Sequence, residues 1–246
     1  MNVTIAFVDR SGRTRSAFAL MELLVIIGVA GLLAVTVVVS LANSRNHTRL
    51  AGCAANLSQV NVGLQHWVND NSGWLPPGNG ASDGLYPGQR CQYRDDLASR
   101  RNLAFYLATR LGYPAPDGQD RVAGIFFCPA FGSPARTGTN GLCFSLYALS
   151  TRGAGSVSGE PGLPWNPFGY PADGPGEAPH KLSEVQSLRS LSSIWMLADL
   201  DKLAAAGRDV FQREQLPDEP VHGNARNYLF FDGHVDSKPI IKKEGR

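Results

Sequence analysis

The sequence predicts an α+β fold: a long N-terminal helix laid against an antiparallel β-sheet head with long loops. Three observations carry this. No proline occurs before Pro76, and over that stretch apolar residues first run together and then recur every three or four positions. Near the other end, Asp232-Gly233 separates two strand-like runs, the strongest short-range hairpin signal in the chain. Between them, Thr151–His180 holds seven Gly and six Pro, a composition that excludes regular helix or sheet throughout.

The helix divides by the character of its surface. From Leu23 to Leu41 there are 19 residues without a charge, enough helix at ~1.5 Å per residue to cross a ~30 Å hydrocarbon core. Arg10, Arg13 and Arg15 precede it, opposed only by Asp9. Glu22 stands at its edge, among Phe18, Leu20, Met21, Leu23 and Leu24. A carboxylate there either reaches the headgroups or has a cationic partner, because an unpaired charge in hydrocarbon costs a few kcal/mol. Past Ala42 the pattern becomes one-sided: Leu50, Ala54, Leu57, Val60, Gly63, Leu64 and Trp67 form a stripe, and polar residues fill the other positions. Asn71-Ser72-Gly73 and Pro76-Pro77-Gly78 end it.

In the remainder, Asp95–Arg110 reads as a helix stopped by Gly112 and Pro114. Strands are expected at Ile125–Cys128, Leu142–Leu149 and Ser193–Ala198, and at Asn227–Phe231 and His234–Ser237 around the turn. Trp165, Phe168 and Tyr170 give the Gly/Pro-rich loop some weight as a contact surface.

Composition narrows the function. The 246 residues carry 23 basic and 21 acidic side chains, a net +2, which disfavours a general nucleic-acid binder. Four cysteines without Cys-x-x-Cys spacing disfavour a zinc ribbon or a thioredoxin-type site. No G-x-S-x-G, H-E-x-x-H, P-loop or G-x-G-x-x-G motif occurs, so no enzyme and no catalytic residue is expected. Asp232, His234 and Asp236 alternate and would share one strand face, which permits a metal. Asp232 is better accounted for as a turn residue, so no metal ligand is assigned.

The stretch Ser16-Ala17-Phe18-Ala19-Leu20-Met21-Glu22-Leu23-Leu24-Val25-Ile26-Ile27 resembles the class III signal of type IV pilins and type II secretion pseudopilins. The resemblance extends to Cys53-Ala54-Ala55-Asn56-Leu57-Ser58-Gln59-Val60. It extends also to His222 and Asp232-Gly233, since one bacterial subgroup carries a His, nine residues, then Asp-Gly in its C-terminal domain. It implies a pilin-like fold and cleavage by a prepilin peptidase between Ala17 and Phe18, then N-methylation of Phe18. It also implies pairing of Glu22 with the terminal amine of a neighbouring subunit during filament assembly. The family usually has Gly before the cut, where this chain has Ala17. The implied organisation is a leader (1–17), a transmembrane half-helix (18–42), an amphipathic half (43–71) and a periplasmic head (72–246) on a single pass of the bacterial inner membrane. Partners would be the peptidase, other pilin or pseudopilin subunits and the membrane itself, without nucleic acid. No cofactor is implied; calcium stays open, because related major pseudopilins can hold it. A helix-anchored periplasmic binding module that does not polymerise is the alternative reading. Outside the cytoplasm disulfides can form, and Cys128 with Cys143 is the first pair to test; Cys53 is either a core residue or a partner for Cys91.

Overall fold

The computed structural model describes residues 12–131, 144–150, 162–171, 176–204 and 216–240. Two compact units divide the chain, Met1–His47 and Thr48–Arg246. Helix α1 runs Gly12–Asp70. In the first unit, every side chain described, Met21 to Val37 and His47, is exposed.

In the second unit α1 buries one stripe. Cys53, Leu57, Val60, Leu64 and Val68 repeat at spacings of four and three and join the core. The stripe is the expected one, with Cys53 and Val68 added and Leu50, Ala54 and Trp67 only half-buried at its margins. The helix stops where the sequence places its breakers. The Asn71 side chain donates to the Trp67 carbonyl at 2.8 Å, and the Gly73 N–H to the Val68 carbonyl at 2.8 Å. Ser72 and Gly73 both turn to positive φ, the geometry that closes the last orphan carbonyls.

The strands are β1 (Gly88–Arg90), β2 (Gln92–Tyr93), β3 (Arg121–Val122), β4 (Phe144–Leu149), β5 (Trp195–Asp199), β6 (Ala225–Phe230) and β7 (Val235–Pro239). Among the described residues they make a five-stranded antiparallel sheet ordered β1-β4-β5-β6-β7, and a small pairing of β2 with β3. Strand β5 is buried at all five positions, as an apolar strand between β4 and β6 should be. Strand β7 sits at the edge and carries Asp236, Lys238 and Pro239, residues that blunt an exposed ladder.

The hairpin forms where expected, with a three-residue loop, Phe231-Asp232-Gly233. Leu229 pairs with Val235, and the Phe230 N–H donates to the His234 carbonyl at 2.9 Å. Gly233 takes φ +96°, and a Cβ there would lie 2.3 Å from Asn61 Nδ2 on α1. This glycine is therefore required twice, by its backbone conformation and by the helix against which the turn rests.

Three expectations are corrected. Asp95–Arg110 is not one helix: a 3₁₀ turn at Ser99–Arg101 is followed by extended Asn102, then α2 (Leu103–Leu107) and a second 3₁₀ turn at Thr109–Leu111. Long-range hydrogen bonds override the local preference. Buried Asn102 accepts the Arg90 N–H at 3.0 Å, and Gln89 accepts the Leu103 N–H at 2.6 Å. Leu97, expected on the buried face, is exposed. Gly112 does end the segment, at φ +81°. Second, Ile125–Cys128 is not a strand: Gly124–Phe126 is a 3₁₀ turn, with the Ile125 N–H donated to the Tyr113 hydroxyl at 3.0 Å. Third, Cys128 does not pair with Cys143: Cys53 and Cys128 are both thiols outside any disulfide, whereas Cys91 is disulfide-bonded. That also excludes a Cys53–Cys91 bond. A short helix, α3 (Leu182–Leu188), follows the Gly/Pro-rich loop.

Candidate functional site

The residues singled out from the sequence fall in different places. Ala17 and Phe18 lie within α1, but their side chains, like all of Cys143, are outside the described residues. Glu22 is exposed, and Leu23, Leu24, Val25, Ile26 and Ile27 after it are each more than half exposed, so apolar surface continues from it along the helix. Among the described residues, no helix is long and apolar enough to cross a membrane. The uncharged run Leu23–Leu41 continues past Val37, where the described side chains of that segment end.

Asp232 and His234 remain at the hairpin. Asp232 accepts the His234 N–H at 3.2 Å and meets its ring Nδ1 at 2.6 Å, while that ring stacks on Phe230 at 4.2 Å. This is turn chemistry, with both side chains at the surface. Phe168, weighed as a contact residue, is buried in the core and stacked with Phe231 at 5.9 Å. Trp165 stacks on His180 at 3.9 Å, and Tyr170 stays partly exposed.

His222 lies elsewhere. It meets Cys53 from the helix stripe, Cys128 from the segment after the Gly124–Phe126 turn, and Asp199 from the end of β5. One ligand atom from each of the four lies within 4.8 Å of the others. His222 Nε2 is 3.3 Å from Cys128 Sγ and 3.5 Å from Asp199 Oδ2, and the Cys53 thiol donates to Asp199 Oδ1 at 3.6 Å. The His222 and Asp199 side chains are 1% and 5% exposed, so the group is closed to solvent. Cys53 and Asp199 are 146 positions apart, and Cys128 and His222 are 94.

Local bonds hold each member. The Asn56 amide donates to the Phe127 carbonyl at 3.2 Å, tying the Cys128 segment to α1 one turn beyond Cys53. The Asn227 N–H donates to Asp199 Oδ2 at 2.8 Å. Gly223, at φ +78°, donates to the Pro220 carbonyl at 3.1 Å and turns the chain after His222. Two residues beyond Asp199, Asp201 takes both prongs of Arg226, Nε at 2.6 Å and Nη2 at 2.9 Å. This buried fork fixes the start of β6 to the end of β5.

The electrostatics follow from burial and proximity. Contact with the Cys53 thiol holds Cys128 well below the usual thiol value; burial opposes this, and the His222 imidazole adds to the lowering. Burial pushes Asp199 up to about 7, against the Asn227 hydrogen bond and the His222 charge. Burial alone would lower His222, but its bond with Cys128 and the nearby Asp199 and Cys128 charges outweigh it, and the value is raised.

The geometry is not that of a Cys-His-Asp nucleophilic relay. In a relay the acid holds one ring nitrogen and the nucleophile faces the other. Here Cys128 and Asp199 both face Nε2, and Nδ1 has no partner among the described residues. The groups converge on one point instead. The sequence singles out His222 through the C-terminal resemblance and Cys53 as a core residue or a partner for Cys91; Asp199 is not among the expected site residues. The signal that could have found Asp199 is a carboxylate closing an otherwise apolar strand, Trp195–Asp199.

Comparison of the chain with models of known protein families, with curated proteins and with solved structures finds no match in any of the three.

Proposed function

We propose that the protein is a prepilin-like structural subunit, cut before Phe18 by a prepilin peptidase and assembled through its N-terminal helix into a type IV pilus or a type II secretion pseudopilus. The observation that carries the reading is a single helix with two surfaces. Its first part presents apolar side chains in every direction with one carboxylate, Glu22, among them; its later part buries one stripe in the core of the second unit. An all-round apolar helix needs a membrane or a bundle of like helices to cover it. A carboxylate in that surface that does not reach the headgroups needs a cation, and the amine freed at Phe18 of a neighbouring subunit would supply one. The C-terminal residues of the resemblance support it in a second way, since Gly233 is shaped to rest on α1 at Asn61.

The test is the mass of the mature N-terminus of protein recovered from bacterial membranes. A chain beginning at methylated Phe18 is expected. A chain beginning at Asn43 would mean ordinary secretion, and a retained Met1 an unprocessed anchor; either overturns the proposal.

A further inference from the structure

We propose that Cys53, Cys128, Asp199 and His222 form a closed four-ligand site for a borderline-soft divalent cation, zinc above all, that pins α1 to the sheet. The inference does not depend on filament assembly.

The donor set is the first argument. Two sulfurs, one imidazole nitrogen and one carboxylate oxygen are the ligands zinc takes in tetrahedral sites, and four protein ligands with no open position mark a structural site. Calcium and magnesium call for several oxygens, and this cluster offers a single carboxylate.

Spacing is the second. Around zinc, with bonds of about 2.3 Å to sulfur and about 2.0–2.1 Å to nitrogen and oxygen, tetrahedral ligands stand ~3.5 Å apart for sulfur with oxygen or nitrogen and ~3.3 Å for nitrogen with oxygen. The corresponding distances are 3.6 Å (Cys53 Sγ to Asp199 Oδ1), 3.3 Å (Cys128 Sγ to His222 Nε2) and 3.5 Å (His222 Nε2 to Asp199 Oδ2). Three of the six edges of a tetrahedron, taking either oxygen of Asp199 as its vertex, are thus within a few tenths of an ångström of these values, and all four ligand atoms lie within 4.8 Å of one another.

The third argument is the carboxylate. Asp199 is buried, yet among the described residues its single short hydrogen bond is the one from the Asn227 N–H. A buried carboxylate with one good donor is costly, and a cation at the centre of the group removes the deficit. Binding would displace to solvent the protons that the four ligands carry, leaving two thiolates, a carboxylate and a neutral imidazole around a 2+ ion, a net charge of −1. The four ligands come from α1, the segment after the Gly124–Phe126 turn, β5 and the loop before β6, so one ion would cross-link parts of the second unit distant in sequence.

The experiment uses the full chain, purified in mild detergent without oxygen so that the Cys91 disulfide and the two thiols are kept, then stripped of metal. Cobalt(II) serves as the optical probe and zinc as competitor. One cobalt per chain is expected, with sulfur-to-metal charge-transfer absorption and the intense visible bands of a tetrahedral ion, all abolished by zinc. Cys53→Ser and Cys128→Ser should each roughly halve the charge-transfer intensity. Asp199→Asn and His222→Gln should weaken zinc binding by about a hundredfold or more, while His234→Ala leaves it unchanged. Should any variant fail to fold, the spectrum of the unaltered protein decides alone. Octahedral cobalt without charge transfer, zinc affinity unaltered in a folded Cys128→Ser chain, or a Cys53–Cys128 disulfide that forms with zinc present would each overturn the proposal.

Discussion

Replacing Arg226 with Met should be among the most damaging single changes in the second unit. The guanidinium gives two hydrogen bonds to Asp201, at 2.6 and 2.9 Å, and the two side chains are 7% and 2% exposed. Without it, Asp201 keeps only the Ala204 N–H, at 2.8 Å, among the described donors. A buried carboxylate so stranded costs about 3–5 kcal/mol, a fifth or more of the ~5–15 kcal/mol that holds a typical domain folded. Adding Asp201→Asn should return a large part of the loss, because the amide removes the charge and still accepts the Ala204 N–H. Asp201→Asn alone should be costly, since it leaves the arginine as the unpaired charge. The assay is guanidinium denaturation of the full chain in mild detergent at pH 7, followed by tryptophan fluorescence; Trp195 lies 6.0 Å from Tyr228, two residues from the substitution. A loss below about 1 kcal/mol for Arg226→Met, or a double variant no more stable than that single one, would refute the account of this pair.

Gly233→Ala should destabilise by about 1–3 kcal/mol, more than Gly223→Ala. Both glycines have positive φ, but only Gly233 would drive a Cβ into Asn61; equal losses in thermal melts would mean the turn does not rest on α1. Tyr106, whose hydroxyl donates to the Arg100 carbonyl at 2.7 Å, has its phenol pushed by burial up to about 12. Its contribution to stability is present in full below the unfolded value of 10.0 and is lost as pH rises toward 12, because the unfolded chain gives up the proton first. Stability profiles of the native chain and Tyr106→Phe should therefore diverge only above pH 10; parallel profiles there would show the group to be solvated. Glu22→Ala should leave processing and protein level near normal while lowering cross-linked multimers by at least about a hundredfold, the weight of a broken buried ion pair. Equal multimer yield would transfer support to the anchored, non-polymerising module.

What could be read without coordinates was local in origin. The α1 stripe follows from a 3.6-residue period, its end from Asn71-Ser72-Gly73, and the hairpin from Asp232-Gly233, because each depends on residues a few positions apart. The apolar character of Leu23–Leu41 and the place of Glu22 in it are likewise properties of a short stretch. Asp95–Arg110 shows where such signals fail: its helical pattern gives way because Asn102 and Leu103 find partners on β1 that no local rule contains. The cysteines show it again. Cys128 and Cys143 are the first pair the sequence offers to test, but the packing of the 124–131 segment on α1 turns Cys128 toward Cys53 and His222. Cys53, Cys128, Asp199 and His222 carry no shared motif and lie on four separate segments. Only the burial of one helix stripe beneath one sheet brings them within 4.8 Å, since convergence across so many intervening residues is set by packing and not by neighbours along the chain.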